Sequence, residues 1–365
     1  MTKVCFLVSS LCNEGPVNVM YNIIRYIDFS KFEISIITLI PEKKTTRIED
    51  FHKYPIAIHQ LAPESSLNPF ALFQALRLKI KQINPDMLHA HCPRSLYLMC
   101  FLSRKYKRIY TIHIYPGLQQ KVLYGKVKGD IVIKLNNFFT HKVALPIGCA
   151  ESVGELYKKY KGWEIPCIPN GSSLPLWNGD LAHRKELRKK FGLRDDIQYF
   201  IFIGRFSKEK NPEILVKTFK RAESRGVGLI MLGDGPLWES LKQEENDKIL
   251  LPGFTTNVYD YLIASDFYIS ASEVEGLANT LLESMTVGLP MLISDIPSHR
   301  EVLSKMNIPT GYIFDNKDSN NLLDNIDKII RLDRTKVAKE VQETFQKYYT
   351  AKKMSLSYQN AYSNL

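Results

Sequence analysis

Short apolar, β-branched runs alternate along the chain with longer stretches whose apolar residues recur at three- and four-residue steps. In the first half, Val4–Ser9, Phe32–Leu39, Ala57–Leu61, Met87–His89, Arg108–His113 and His141–Pro146 read as strands. Helices are expected between them, for example Val17–Ile27 and Pro69–Ile83, the latter (PFALFQALRLKIKQI) keeping one apolar stripe throughout. Strand and helix alternating in this way implies a parallel sheet covered on both faces.

The pattern restarts after Gly171–Asp180, a segment rich in Gly, Ser, Pro and Asn that reads as a linker. Strand Gln198–Ile203 opens a second series: helix Pro212–Glu223, strand Gly228–Leu232, helix Leu237–Asn246 and strand Ile249–Leu251. Helix Val258–Ser265, strand Phe267–Ile269, helix Asn279–Val287 and strand Met291–Ser294 follow. The expected organisation is therefore α/β in two domains, residues 1–175 and 176–344. A Tyr-rich C-terminal helix, 345–365, is expected to pack back on the first domain. Ligands in such sheets bind beyond the carboxyl ends of the strands, so the cleft between the domains is the expected site.

Composition narrows this picture. The 365 residues suffice for two such cores, and no apolar run reaches the ~18 residues of a spanning helix. The opening MTKVCFLVSSLCNEG is soon broken by Asn13 and Glu14 and has no clear cleavage site, so it reads as a buried strand in a cytoplasmic protein. Six cysteines without a CxxC pair, in a chain not expected to be exported, give no reason to expect disulfides. The net charge of +11 lies wholly in residues 1–170. It clusters at Arg77/Lys79/Lys81, Arg104/Lys105/Lys107/Arg108, Lys121/Lys126/Lys128 and Lys158/Lys159/Lys161, with Phe73, Leu76, Leu78, Ile80, Tyr106, Leu123 and Tyr124 among them. Such a surface suits an anionic membrane; a solvated face and a nucleic-acid site are the alternatives.

Chemistry concentrates in Ser272–Pro290, SEVEGLANTLLESMTVGLP. Gly276 permits a tight turn, Asn279 is the expected N-cap, and the amides of Gly276, Leu277, Ala278 and Asn279 form an anion site at a helix start. Glu283, about 6 Å further along the axis at 1.5 Å per residue, is placed to accept hydrogen bonds from a diol. A second motif, IGRFSKEKN, follows a strand with Gly204 and offers Arg205 and Lys210 to a diphosphate. No Asp-x-Asp occurs to hold a metal in their place.

These strings resemble the retaining glycosyltransferases of family 4, whose second domain carries S-x-x-E-G-x-P-x-x-x-x-E-A followed by G-x-P. Ser272, Glu275, Gly276, Glu283, Gly288 and Pro290 match; Ala278 stands for the usual Pro and Ser284 for the usual Ala. PDMLHAH (Pro85–His91), YTIHIYPG (Tyr110–Gly117) and IPNG (Ile168–Gly171) are similar to first-domain strand ends of that family. In SSLCNEGP (Ser9–Pro16) Gly15 is kept from the family's Gly-Gly loop, while Glu14 stands for the other glycine. The resemblance implies two Rossmann-like domains of the GT-B type facing each other across a deep cleft. It assigns Arg205, Lys210, Glu275 and His113 to catalysis. It assigns Gly15, Gly204, Gly276, Leu277, Ala278, Asn279 and Glu283 to the donor.

The implied activity is retaining, metal-independent hexosyl transfer without a cofactor, from a nucleotide-sugar (UDP preferred, GDP left open) to a saccharide acceptor. A lipid-linked acceptor in cell-envelope polysaccharide or glycan assembly, reached at the inner face of the cell membrane through the basic first domain, fits the charge asymmetry. His89 and His91 share a strand face but lack a third convergent ligand, so packing is preferred over metal binding. His113 is read as a sugar or acceptor contact, with a packed histidine as the alternative. A nucleotide-sugar epimerase, an NAD-dependent oxidoreductase and a non-catalytic sugar-binding module are the rivals; the single glycine of residues 9–16 argues against the oxidoreductase.

Overall fold

The computed structural model describes residues 1–62, 64, 65 and 68–365. The chain divides into two compact units, Met1–Ser173 with Thr350–Leu365, and Leu174–Tyr349. In the first unit lie strands β1 (Thr2–Val8), β2 (Phe32–Thr38), β3 (Ala57–Gln60), β4 (Met87–Ala90), β5 (Lys107–Ile112) and β6 (Leu145–Gly148). Its helices are α1 (Gly15–Arg25), α2 (Ile48–Phe51), α3 (Pro69–Ile83), α4 (Pro93–Cys100), α5 (Leu118–Tyr124), α6 (Lys126–Thr140) and α7 (Glu151–Lys161). The second unit has strands β7 (Gln198–Ile203), β8 (Val227–Leu232), β9 (Ile249–Gly253), β10 (Phe267–Ser270), β11 (Met291–Ser294) and β12 (Gly311–Phe314). Its helices are α8 (Leu181–Lys190), α9 (Pro212–Arg221), α10 (Trp238–Lys242), α11 (Val258–Ala264), α12 (Asn279–Val287), α13 (Pro297–Ser304), α14 (Ser319–Ile329) and α15 (Arg334–Tyr348); α16 (Ala351–Asn364) follows.

Each unit is an all-parallel six-stranded sheet, in the orders β3-β2-β1-β4-β5-β6 and β12-β11-β10-β7-β8-β9. Read from its own first strand, each has the doubly wound order 3-2-1-4-5-6, which reverses direction between β1 and β4 and between β7 and β10. Strands enclosed on both faces read as continuous apolar runs, and β8 is buried at every residue. Two cores result, one around Phe6, Ile23 and Ile36, the other around Phe200, Leu215 and Ile269.

Several element boundaries differ from the sequence expectation. The strand expected at His141–Pro146 is Leu145–Gly148, because α6 runs to Thr140 and His141 caps it. The helix expected at Leu237–Asn246 is confined to α10, and the strand β12 carries no alternating pattern that would announce it. The tail is two helices: Thr350 is extended, accepts from Lys353 N–H, and starts α16 afresh. Met354, Tyr358 and Tyr362 of α16 belong to the core of the first unit, and Ser355 Oγ donates to Ile23 O at 2.7 Å.

Candidate active site

In the second unit the reversal point falls where β7 and β10 end side by side. After β7, Gly204 N–H donates to Leu232 O (3.0 Å) and Phe206 N–H to Asp234 O (2.9 Å). Gly233, at φ 147°, lies so close that an added Cβ would collide with the Gly204 carbonyl. A 3-10 turn, Lys208–Lys210, and Asn211 in the left-handed region (φ 48°) then lead into α9 at Pro212. This turn fixes Lys210, whose own N–H donates to Ser207 O at 3.0 Å.

After β10 the chain runs through buried Ser272 to Glu275. Glu273 N–H donates to Glu209 O at 2.8 Å, fastening this loop to the turn after β7. The Ser272 carbonyl accepts from Ser294 Oγ (2.6 Å) and Asn316 Nδ2 (3.2 Å), while its hydroxyl donates to Glu275 Oε1 at 2.8 Å. Lys210 Nζ pairs with that same Oε1. Burial pushes the Glu275 carboxyl up, but the Lys210 ammonium and the Ser272 hydroxyl outweigh it, holding the group below the usual carboxylate range.

Helix α12 opens immediately afterwards, with Ala278 as its N-cap and Asn279 already helical. The expected Asn279 cap is thus displaced by one residue, to an alanine whose own side chain makes no capping bond. Its amino end, with the partial positive charge of the helix dipole, lies a few residues from the Lys210–Glu275 pair. Glu283 is half-buried on the same helix; Gly276 and Leu277 are buried, Ala278 and Asn279 half-buried.

Tyr268 ties the two acids together electrostatically. Its buried hydroxyl, 3.0 Å from Thr280 Oγ1, is raised by burial above its usual range and, against the Thr280 bond, by the charges of Glu275 and Glu283. Arg205 is exposed and makes no side-chain hydrogen bond or ion pair among the described residues, whereas Lys210 is committed to Glu275. The two cations therefore flank the reversal point in different states.

His299 was not singled out in the sequence. It lies in the first turn of α13, fully buried, with Nδ1 2.9 Å from Ser294 O and Nε2 without a partner among the described residues. Burial lowers it to about 4, the fields of Glu275 and Lys210 acting in opposite directions. The available signal was position: SDIPSHRE follows the next strand of the sheet, so its first helical turn starts beside the carboxyl end of β10.

The first unit has its own reversal point, where β1 and β4 end. Ser9 Oγ lies 3.2 Å from Cys92 Sγ across it. Gly15 is the first residue of α1; Glu14 before it is exposed, with Lys43 at 3.8 Å. Leu11 N–H donates to the Glu42 carboxylate, a contact that no spacing in the sequence announces. His113 follows β5 with Nε2 3.2 Å from His91 Nδ1, and burial lowers it to about 3. His89 fills both ring nitrogens at 2.8 Å, with Tyr362 and Thr111 hydroxyls, so it is a packing histidine.

Two family descriptions match nearly the whole chain between them: "Glycosyltransferase Family 4" over residues 14–174 and "Glycosyl transferases group 1" over 183–348. Alpha-monoglucosyldiacylglycerol synthase of Streptococcus pneumoniae is 29% identical over 61% of this chain, which spans only 55% of that protein. The O-antigen biosynthesis glycosyltransferase WclY of Escherichia coli is 25% identical over 77% of this chain and 79% of its own length. In fold, the crystal structure of Anabaena Alr3699/HepE in complex with UDP and glucose matches all of both chains with a TM-score of 0.81 at 17% identity. With both halves matched in order and both sheets doubly wound, the chain belongs to the family 4, group 1 glycosyltransferases and has their GT-B class of fold.

Proposed function

We propose that the protein transfers a hexosyl group from a UDP-sugar to a saccharide acceptor, with retention and without a metal, in the assembly of a cell-envelope glycolipid or polysaccharide. One observation carries the reading: the Lys210–Glu275 ion pair, beside the amino end of α12 and at the reversal point of the second sheet. A diphosphate seated there meets the helix dipole, Lys210 and the exposed Arg205, which stabilise charge as it builds on the leaving group. Glu275, once Lys210 turns to phosphate, accepts hydrogen bonds from the sugar, and Glu283 accepts from the ribose diol.

In the step itself, the bond from the anomeric carbon to the diphosphate oxygen breaks and a bond to the acceptor oxygen forms on the same face. The acceptor proton passes to the departing phosphate oxygen. UDP is supported by the HepE complex, and a cell-envelope acceptor by the names of the S. pneumoniae and E. coli relatives. We place the acceptor on a lipid carrier at the inner face of the cell membrane, met by the basic first unit; among the described residues no helix is long and apolar enough to cross a bilayer. A thermal-shift panel of UDP- and GDP-sugars tests the donor: the right one at about 100 times its Kd adds ~2.7 kcal/mol of stability. Stabilisation by no nucleotide sugar, or turnover abolished by chelators and restored by a divalent metal, overturns this reading.

A further inference from the structure

Helix α6 turns an apolar stripe outward, alongside exposed Lys126, Lys128 and Lys134. Val127, Ile131, Leu135 and Phe138 recur at four- and three-residue steps and are 75%, 54%, 42% and 52% exposed. The opposite side buries Gly129, Asn136, Asn137 and Thr140, with the Tyr97 hydroxyl donating to Asn136 Oδ1 at 2.6 Å. Its rotation is fixed by α5: a Cβ on Gly129 would lie 2.8 Å from the Gln120 carbonyl. A helix serving only its own core shows the reverse distribution, so this apolar stripe is shaped for a partner.

The stripe continues into a basic cavity. Phe139 packs on Phe101 (5.6 Å between ring centroids), Phe101 is itself exposed, and Lys142 Nζ lies 4.1 Å from the Phe138 ring centroid. Beside them a cavity of about 400 Å³ is lined by Arg104, Arg108, His141 and Lys142, among others. Arg108 is 8% exposed; one guanidinium nitrogen donates to Leu102 O at 2.6 Å, and its buried Nε has no partner among the described residues. Among the described residues no carboxylate pairs with it. Residues 87–150 contain a single acid, Asp130, and that one pairs with Lys121 at 2.9 Å. A buried cation without a counter-charge is costly, and an anion entering the cavity relieves it.

Resting on the membrane reading above, we propose that this face seats the protein on an anionic bilayer. The cavity takes a lipid headgroup phosphate against Arg104, Arg108 and Lys142, while the α6 stripe and Phe101 enter the acyl boundary. A nucleic acid would use the lysines but not four exposed aliphatic and aromatic side chains in a row.

The test is sedimentation of the full chain with phosphatidylcholine vesicles, with and without phosphatidylglycerol, alongside a UDP thermal shift in the absence of vesicles. The wild type is expected to prefer the anionic vesicles. Arg104→Ala with Lys142→Ala lowers that partitioning about 25-fold, fivefold per cation, and removes the preference. Ile131→Ser with Leu135→Ser lowers binding at least tenfold and makes the remainder reversible by salt. Both variants keep the wild-type melting temperature and UDP shift. Equal binding to both vesicle types, stripe variants that bind like the wild type, or tight RNA binding untouched by the stripe variants each overturn the proposal. A chain that ignores vesicles but is stabilised by UDP overturns this seat and leaves sugar transfer standing; one that binds vesicles but no nucleotide does the opposite.

Discussion

Lys210 and Glu275 neutralise each other at the ends of neighbouring strands, and in the transfer proposed above an arriving diphosphate competes with the carboxylate for the ammonium. Arg205 carries no such commitment, so it is the cation whose loss falls most directly on charge developing in the reaction. Arg205→Ala is expected to lower kcat by ~10²–10³ with the fold intact, measured by UDP release. A second consequence lies in the buried histidines. Burial holds His89 and His113 at about 3 and His299 at about 4, against an ordinary 6.5. Between 6.5 and those values the unfolded chain binds protons that the folded chain does not. Stability is therefore complete above pH 6.5 and falls by ~1.4 kcal/mol per histidine per pH unit as acid is added. Melting temperatures measured from pH 7.5 to pH 5 should decline accordingly, and His89→Asn should flatten the slope; a flat wild-type profile contradicts this.

At the scale of elements, the site depends on how closely the loops after β7 and β8 approach. Gly233 permits that approach, because a Cβ there meets the Gly204 carbonyl. Gly179, also at positive φ (82°), faces open space. Gly233→Ala should thus cost roughly 1–3 kcal/mol more than Gly179→Ala in chemical denaturation; equal costs would show that the loop contact is dispensable. The repeated strand–helix alternation was legible because strands buried on both faces are apolar from end to end. So was the string from Ser272 to Pro290, since loop and helix start are contiguous in sequence. The pairing of Lys210 with Glu275 spans 65 residues and depends on β7 and β10 being neighbours, an adjacency that local periodicity does not encode. The N-cap at Ala278 was missed because propensity favours Asn, whereas the extended backbone at Ala278 starts the helix one residue earlier. The outward apolar stripe of α6 was hidden for a related reason: its apolar spacing is that of any amphipathic helix, and only packing shows which side faces water.

At the scale of the whole molecule, the last sixteen residues bring core to the first unit, although all of the second lies between them in sequence. Tyr358 and Tyr362 place their hydroxyls 2.8 Å from Thr111 Oγ1 and His89 Nδ1. Ending the chain after Tyr349 should therefore lower the calorimetric transition of the first unit and spare that of the second; a uniform shift of both would contradict the assignment. In the proposed function the donor chemistry belongs to the second unit. Its most direct test is titration of UDP into the wild type, Glu283→Gln and Lys210→Ala, with turnover measured on the same samples. UDP binding is expected to weaken ~10–100-fold in Glu283→Gln, the worth of one or two charge-assisted hydrogen bonds, and kcat to fall ~10²–10³ in Lys210→Ala. Wild-type affinity and wild-type turnover in both variants would contradict it.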